Sequence, residues 1–153
     1  MFYGDNFIHN DTLPLGSVFV LGEDLLLISA ENLIIPKGSV AGLFDGNSTL
    51  VKAPALPYTT LEEGCYCFMF RGCTSLTTAP ELPATTLTEY CYYEMFQNCS
   101  SLTNAPTLPA KILAPNCYQD MFHGCSSLTT APELPATTLA EDCYKFMFTN
   151  SGL

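Results

Sequence analysis

The chain has 153 residues, of which 48% are hydrophobic and 13% charged, enough apolar surface for one domain with a substantial core and too much for a disordered chain. Five Lys and Arg stand against fifteen Asp and Glu, a net charge of −10, which opposes association with nucleic-acid backbones or anionic lipid. The longest apolar run, DLLLISAENLIIP, is interrupted by Glu31 and Asn32 and falls short of a membrane span.

Residues 1–19 open with MFYGDNF, without a cationic start or an apolar h-region, so no export signal is visible. This leaves a chain that stays inside the cell or one cut from a longer precursor. The segment reads as a cap or a degenerate coil. From Val20 a decayed repeat begins, in which LISAENLIIP keeps a Leu, Ala, Leu rhythm.

From Leu43 the sequence repeats every 26 residues, with coils starting near 43, 69, 95 and 121, an earlier one near 20 and a partial one from 147. Superposing the copies aligns Met69, Met95, Met121 and Met147, then Cys73, Cys99 and Cys125, then Leu76, Leu102 and Leu128. Pro80, Pro106 and Pro132 follow in one column, and Cys91, Cys117 and Cys143 with Tyr92, Tyr118 and Tyr144 in two more. The unvarying columns are apolar, Cys, Tyr or Pro, whereas a column such as Arg71, Gln97, His123 and Thr149 changes freely. The constant columns are therefore expected to face a core and the changing ones water.

Within one copy, Cys91, Tyr92, Met95, Phe96 and Cys99 fall at i, i+1, i+4, i+5 and i+8, the stripe of a short amphipathic helix. Thr86 with Glu89, Thr60 with Glu63 and Thr138 with Glu141 have the spacing of a capping box at its start. Leu76, Ala79 and Leu82 then recur at intervals of three beside Pro80 and Pro83, which predicts a short strand near SLTT running into a polyproline-like arch, with a second extended piece at ATT. A unit of this size cannot bury its apolar face alone, so neighbours must stack. The fold class predicted is an α/β repeat solenoid, a right-handed coil with a short strand and a short helix per 26-residue repeat, over residues 20–153. Helices need about 8–10 Å where paired strands need about 4.8 Å, so such a stack is expected to curve with its strands inside.

The pattern Met-Phe-x-Gly-Cys-[Thr/Ser]-Ser-Leu-Thr-x-Ala-Pro-x-Leu-Pro-Ala-Thr-Thr-Leu, at residues 69–87 and again at 121–139, resembles the leucine-rich repeats of BspA-like surface proteins. The resemblance spans residues 20–153, although the 26-residue unit is somewhat longer than the family's common one. It implies a leucine-rich solenoid in a secreted, surface-attached or virion-borne protein, hence an extracellular or cell-surface location. The role it implies is adhesion to host or matrix proteins.

Chemistry-bearing residues are few. Seven of the eight cysteines lie in two register columns, so each faces its own copies above and below. A ladder of buried free thiols is the favoured reading, with pairing of some cysteines as the alternative. Cys65, Cys67 and Cys73 have no second pair to complete a structural zinc site. His123 reads as a solvated side chain in a variable column, and Glu81 and Glu133 are two coils apart, too far for a simple retaining carboxylate pair. The recurring Thr doublets read as ladder or capping residues. No enzyme, metal or cofactor is expected.

The function expected is recognition of a protein or glycan by the variable surface columns. Lys52, Thr78, Asn104 and Thr130 form one of these, and Ala55, Glu81, Thr107 and Glu133 another. Tyr90 and Tyr93 on the helix side form a second contact patch, since tyrosines are favoured at interfaces. The alternative is a spacer, stalk or phage tail component whose coils supply only length. The chain stops at MFTNSGL, where a new coil should begin, leaving Leu139, Phe146 and Phe148 near an open end. That predicts either a fragment of a longer array or an end covered by self-association.

Overall fold

A computed structural model describes residues 18–21, 24–27 and 40–153. The cap expected over 1–19 and the decayed repeat from Val20 lie mostly outside the described residues. What is described there is a hairpin: β1 (Val18–Leu21) pairs antiparallel with β2 (Asp24–Leu27), with Leu21 opposite Asp24.

From residue 40 onward each 26-residue repeat lies against the next. Isolated parallel bridges join Lys52 to Thr78, Thr78 to Asn104 and Asn104 to Thr130 along one line, and Thr86 to Ile112 and Ile112 to Thr138 along another. Each ladder is one residue wide, narrower than the four-residue strand expected near SLTT. Between the two lines the chain runs extended rather than with a period of three. Pro80, Leu82 and Ala84 are buried while Glu81 and Pro83 are exposed, the alternation of a pleated segment.

The stretch expected to be a helix is not one: no residue from 62 to 73, nor its counterparts in later repeats, is α-helical. It is instead a ribbon of overlapping turns. The amides of Cys65, Cys67, Met69, Arg71 and Cys73 each donate to the carbonyl three residues back, whereas those of Gly64, Tyr66, Phe68, Phe70 and Gly72 donate to Glu89, Cys91, Tyr93, Met95 and Gln97 of the next repeat. Half of the ribbon's amides thus leave the local segment, and these inter-repeat bonds measure 2.7–3.2 Å.

Backbone sign explains how this closes. Positive φ recurs at every fourth residue: at Gly64, Phe68 and Gly72, at Tyr90, Glu94 and Asn98, and at Asn116, Asp120 and Gly124. Each of these is the third residue of a hydrogen-bonded turn, as in type II turns. The intervening turns are centred on the inward pairs Cys65–Tyr66 and Met69–Phe70, all buried. Two residues in, two residues out is a period of four, and the i, i+1, i+4, i+5 stripe fits it as well as it fits a helix. Left-handed backbone at Phe68, Tyr90 and Glu94 costs about 1–2 kcal/mol each, which the inter-repeat bonds and the packing beneath them offset.

The Thr86 and Thr138 positions, expected as helix caps, belong to the second bridge line instead. Because the ribbon is hydrogen-bonded from repeat to repeat, both of its flanks advance by about one strand spacing. The wedge that a helical layer would impose is therefore absent.

Inside, equivalent side chains stack. The rings of Phe44, Phe70, Phe96, Phe122 and Phe148 follow one another at 5.4–5.8 Å, and those of Tyr66, Tyr92, Tyr118 and Tyr144 at 5.8–5.9 Å, all within 8° of parallel. Leu76, Leu102 and Leu128 are fully buried beside them. The last repeat is less covered: Leu139 is 63% exposed, Phe146 57% and Leu134 43%, and Phe148 is half-buried.

Candidate functional site

The first bridge line brings together the column singled out from the sequence. Lys52, Thr78, Asn104 and Thr130 are consecutive partners in it and all are exposed. The neighbouring column of Ala55, Glu81, Thr107 and Glu133 is exposed as well, and the Thr107 hydroxyl donates to Glu81 Oε2 at 3.4 Å. One residue before the bridges, the hydroxyls of Thr77 and Thr103 donate to the carbonyls of Val51 and Thr77 in the preceding repeat. In the Thr77–Thr78 doublet the first Thr is thus spent on joining repeats, and the second is left to face water.

The tyrosines named with this surface sit on the ribbon and are unequal. Tyr90 is 37% exposed, but Tyr93 is half-buried, meeting Phe68 edge-on at 5.3 Å and Tyr90 edge-on at 5.5 Å. A hydrogen bond to the Glu94 carboxylate, followed by burial, raises the Tyr93 phenol above its ordinary pKa. Tyr93 is consequently tied down rather than free to reach a partner.

The same flank holds charged groups that the sequence reading passed over. Arg71 makes two hydrogen bonds to Asp45 in the ribbon layer before it and one of 3.3 Å to Glu94 in the ribbon layer after it, with its guanidinium 4.3 Å from the Phe68 ring centre. It clasps three successive layers of the ribbon. The signal was available, since Asp45 and Arg71 occupy one column with opposite charge. His123 is less free than its column suggested: its Nδ1 lies 2.9 Å from Asp120 Oδ1, and Asp120 is 8% exposed.

All eight cysteines are free thiols. Burial pushes Cys65, Cys117 and Cys125 up to about 12 and Cys73 up to about 11, so at neutral pH they are protonated and poor nucleophiles. Cys67, half-buried outside both columns, is also pushed up to about 12 by burial and then by the Glu94 charge. One cysteine column has a further use. Cys73, Cys99 and Cys125 donate their S–H to the carbonyls of Phe44, Phe70 and Phe96 at 3.0–3.1 Å. Those carbonyls already accept an amide within their own turn, so each thiol takes the second lone pair and ties a turn to the next repeat.

Among the described residues no three His, Cys, Asp or Glu side chains come together to hold a metal ion, and no helix is long and apolar enough to cross a membrane. Comparison of the chain with protein-family models, curated proteins and solved structures gives no match.

Proposed function

We propose that the chain is a non-enzymatic recognition scaffold, a repeat solenoid of the BspA-like leucine-rich kind with a turn ribbon in the place expected for a helix. It acts outside the cell or on a surface, in adhesion to a host or matrix protein or a glycan. The observation that supports this is the exposed row Lys52, Thr78, Asn104 and Thr130. The same backbone bridge recurs there from repeat to repeat, yet a cation, a hydroxyl, an amide and a second hydroxyl stand side by side. A row of different donors at one strand spacing on a fixed frame suits recognition of an extended peptide or oligosaccharide.

The test is a glycan-array and matrix-protein screen of the chain, repeated with Lys52→Ala and Asn104→Ala. Loss of at least tenfold in affinity in either variant, with unchanged unfolding, supports the row. Equal binding by both variants removes it from the binding site. A spacer or tail-component role is favoured by a different observation, the unbroken ring stacks and hydrogen bonds from repeat to repeat. It is the reading that remains if the screen finds no ligand. The exposed Leu134, Leu139 and Phe146 would then serve end-on self-association.

A further inference from the structure

The tyrosine stack carries polar atoms into the core without partners in the protein. Tyr66 and Tyr92 are each 1% exposed, and neither hydroxyl has a protein group within hydrogen-bonding reach. A buried hydroxyl left unpaired is destabilising, and in folded proteins such groups are nearly always bonded to protein or to ordered water.

Geometry says which. The two rings are 5.9 Å apart and 4° from parallel, and they hang from equivalent positions of successive repeats, so their hydroxyls are displaced by about the same vector. An oxygen midway between them lies about 3 Å from each, the length of an O–H···O bond. The gap left between the two oxygen surfaces is about one water diameter, which is also what a buried water needs. A buried water typically needs two to four polar partners, and the two hydroxyls supply two.

We propose that a single buried water molecule bridges the hydroxyls of Tyr66 and Tyr92. The same ring spacing recurs between Tyr92 and Tyr118 at 5.8 Å, so Tyr92 shares a second such water with Tyr118. The tyrosine column therefore holds a hydrated seam inside an otherwise apolar core, and each tyrosine fixes the register of its neighbour through water.

Long-lived internal waters are counted by oxygen-17 magnetic relaxation dispersion on the whole chain, wild type against Tyr92→Phe and Tyr66→Phe. Phe keeps the ring stack and removes only the oxygen. The expected result is a loss of two waters in Tyr92→Phe and of one in Tyr66→Phe, with the folding equilibrium constant of Tyr92→Phe reduced about tenfold as its neighbours lose their bridge. An unchanged count in both variants overturns the proposal. A Tyr92→Phe chain that folds more tightly than wild type also overturns it, because that is how a dry, unpaired hydroxyl behaves. If Tyr92→Phe fails to fold, the Tyr66→Phe count decides alone.

Discussion

Leu108 and Leu134 are the same residue at the same register position one repeat apart, yet Leu108 is 3% exposed and Leu134 43%. The difference arises because one has a further repeat above it and the other does not. Truncating Leu108 to Ala removes a fully buried side chain and leaves a cavity closed on both sides, which costs about 3 kcal/mol within the usual 2–5. At Leu134 little more than half of the side chain is shielded and the space opens to solvent, so only part of the transfer energy is lost, about 1 kcal/mol. Leu108→Ala should therefore be less stable than Leu134→Ala by about 2 kcal/mol in urea titrations at fixed protein concentration. Leu113→Ala against Leu139→Ala, 6% and 63% exposed, should show the same ordering. Equal costs in both pairs would refute the idea that cover by the next repeat sets the energy. Equality that vanished on dilution would locate the missing cover in a second molecule.

Gly64 has φ of +64° and open space around an added Cβ, so Gly64→Ala should cost about 1–2 kcal/mol through the backbone alone, whereas Asn116→Gly in the same column should be neutral or stabilising by a few tenths; thermal unfolding of the two variants checks both signs. Arg71→Met should cost less than about 1 kcal/mol, because Arg71 and Asp45 are each about a third exposed, and the loss should disappear in 1 M salt. Buried thiols make the chain sensitive to alkali. Their folded pKa values are raised to about 11–12 from about 8.5 in the unfolded chain, so the unfolded state releases protons first as pH rises. Their stabilising contribution is complete below about pH 8 and falls with pH through the folded values, by up to about 1.4 kcal/mol per pH unit for each such thiol. Urea midpoints under reducing conditions at pH 7.5, 9 and 10 test this, and a flat profile would sink it.

The inward columns are legible from sequence because each must fit its own copy: Met95, Phe96, Cys99 and Leu102 stay constant and are fully buried. The helix was not legible as a ribbon because nine residues of stripe fit periods of 3.6 and 4 alike. The distinguishing mark lies on the outward side, where Gly64, Gly72, Asn98, Asn116, Asp120, Gly124 and Asp142 supply the residue types that tolerate left-handed backbone at every fourth position. Phe68, Tyr90, Glu94 and Phe146 occupy that register too, and they blur it. On the candidate surface, the alignment of Lys52 with Thr78 and Asn104 follows from the period, but the restraint on Tyr93 does not. That restraint depends on Phe68 and Glu94, which come near it only through the ribbon's geometry.

The ribbon's inter-repeat amides all point toward the later repeat and its carbonyls toward the earlier one. Peptide dipoles on that flank therefore add along the stacking axis instead of cancelling as they do across an ordinary sheet. Such an arrangement has a direction, like a row of magnets laid nose to tail. It accepts any number of additional units placed in the same sense, while two copies brought together by their later ends along this flank would set amide against amide.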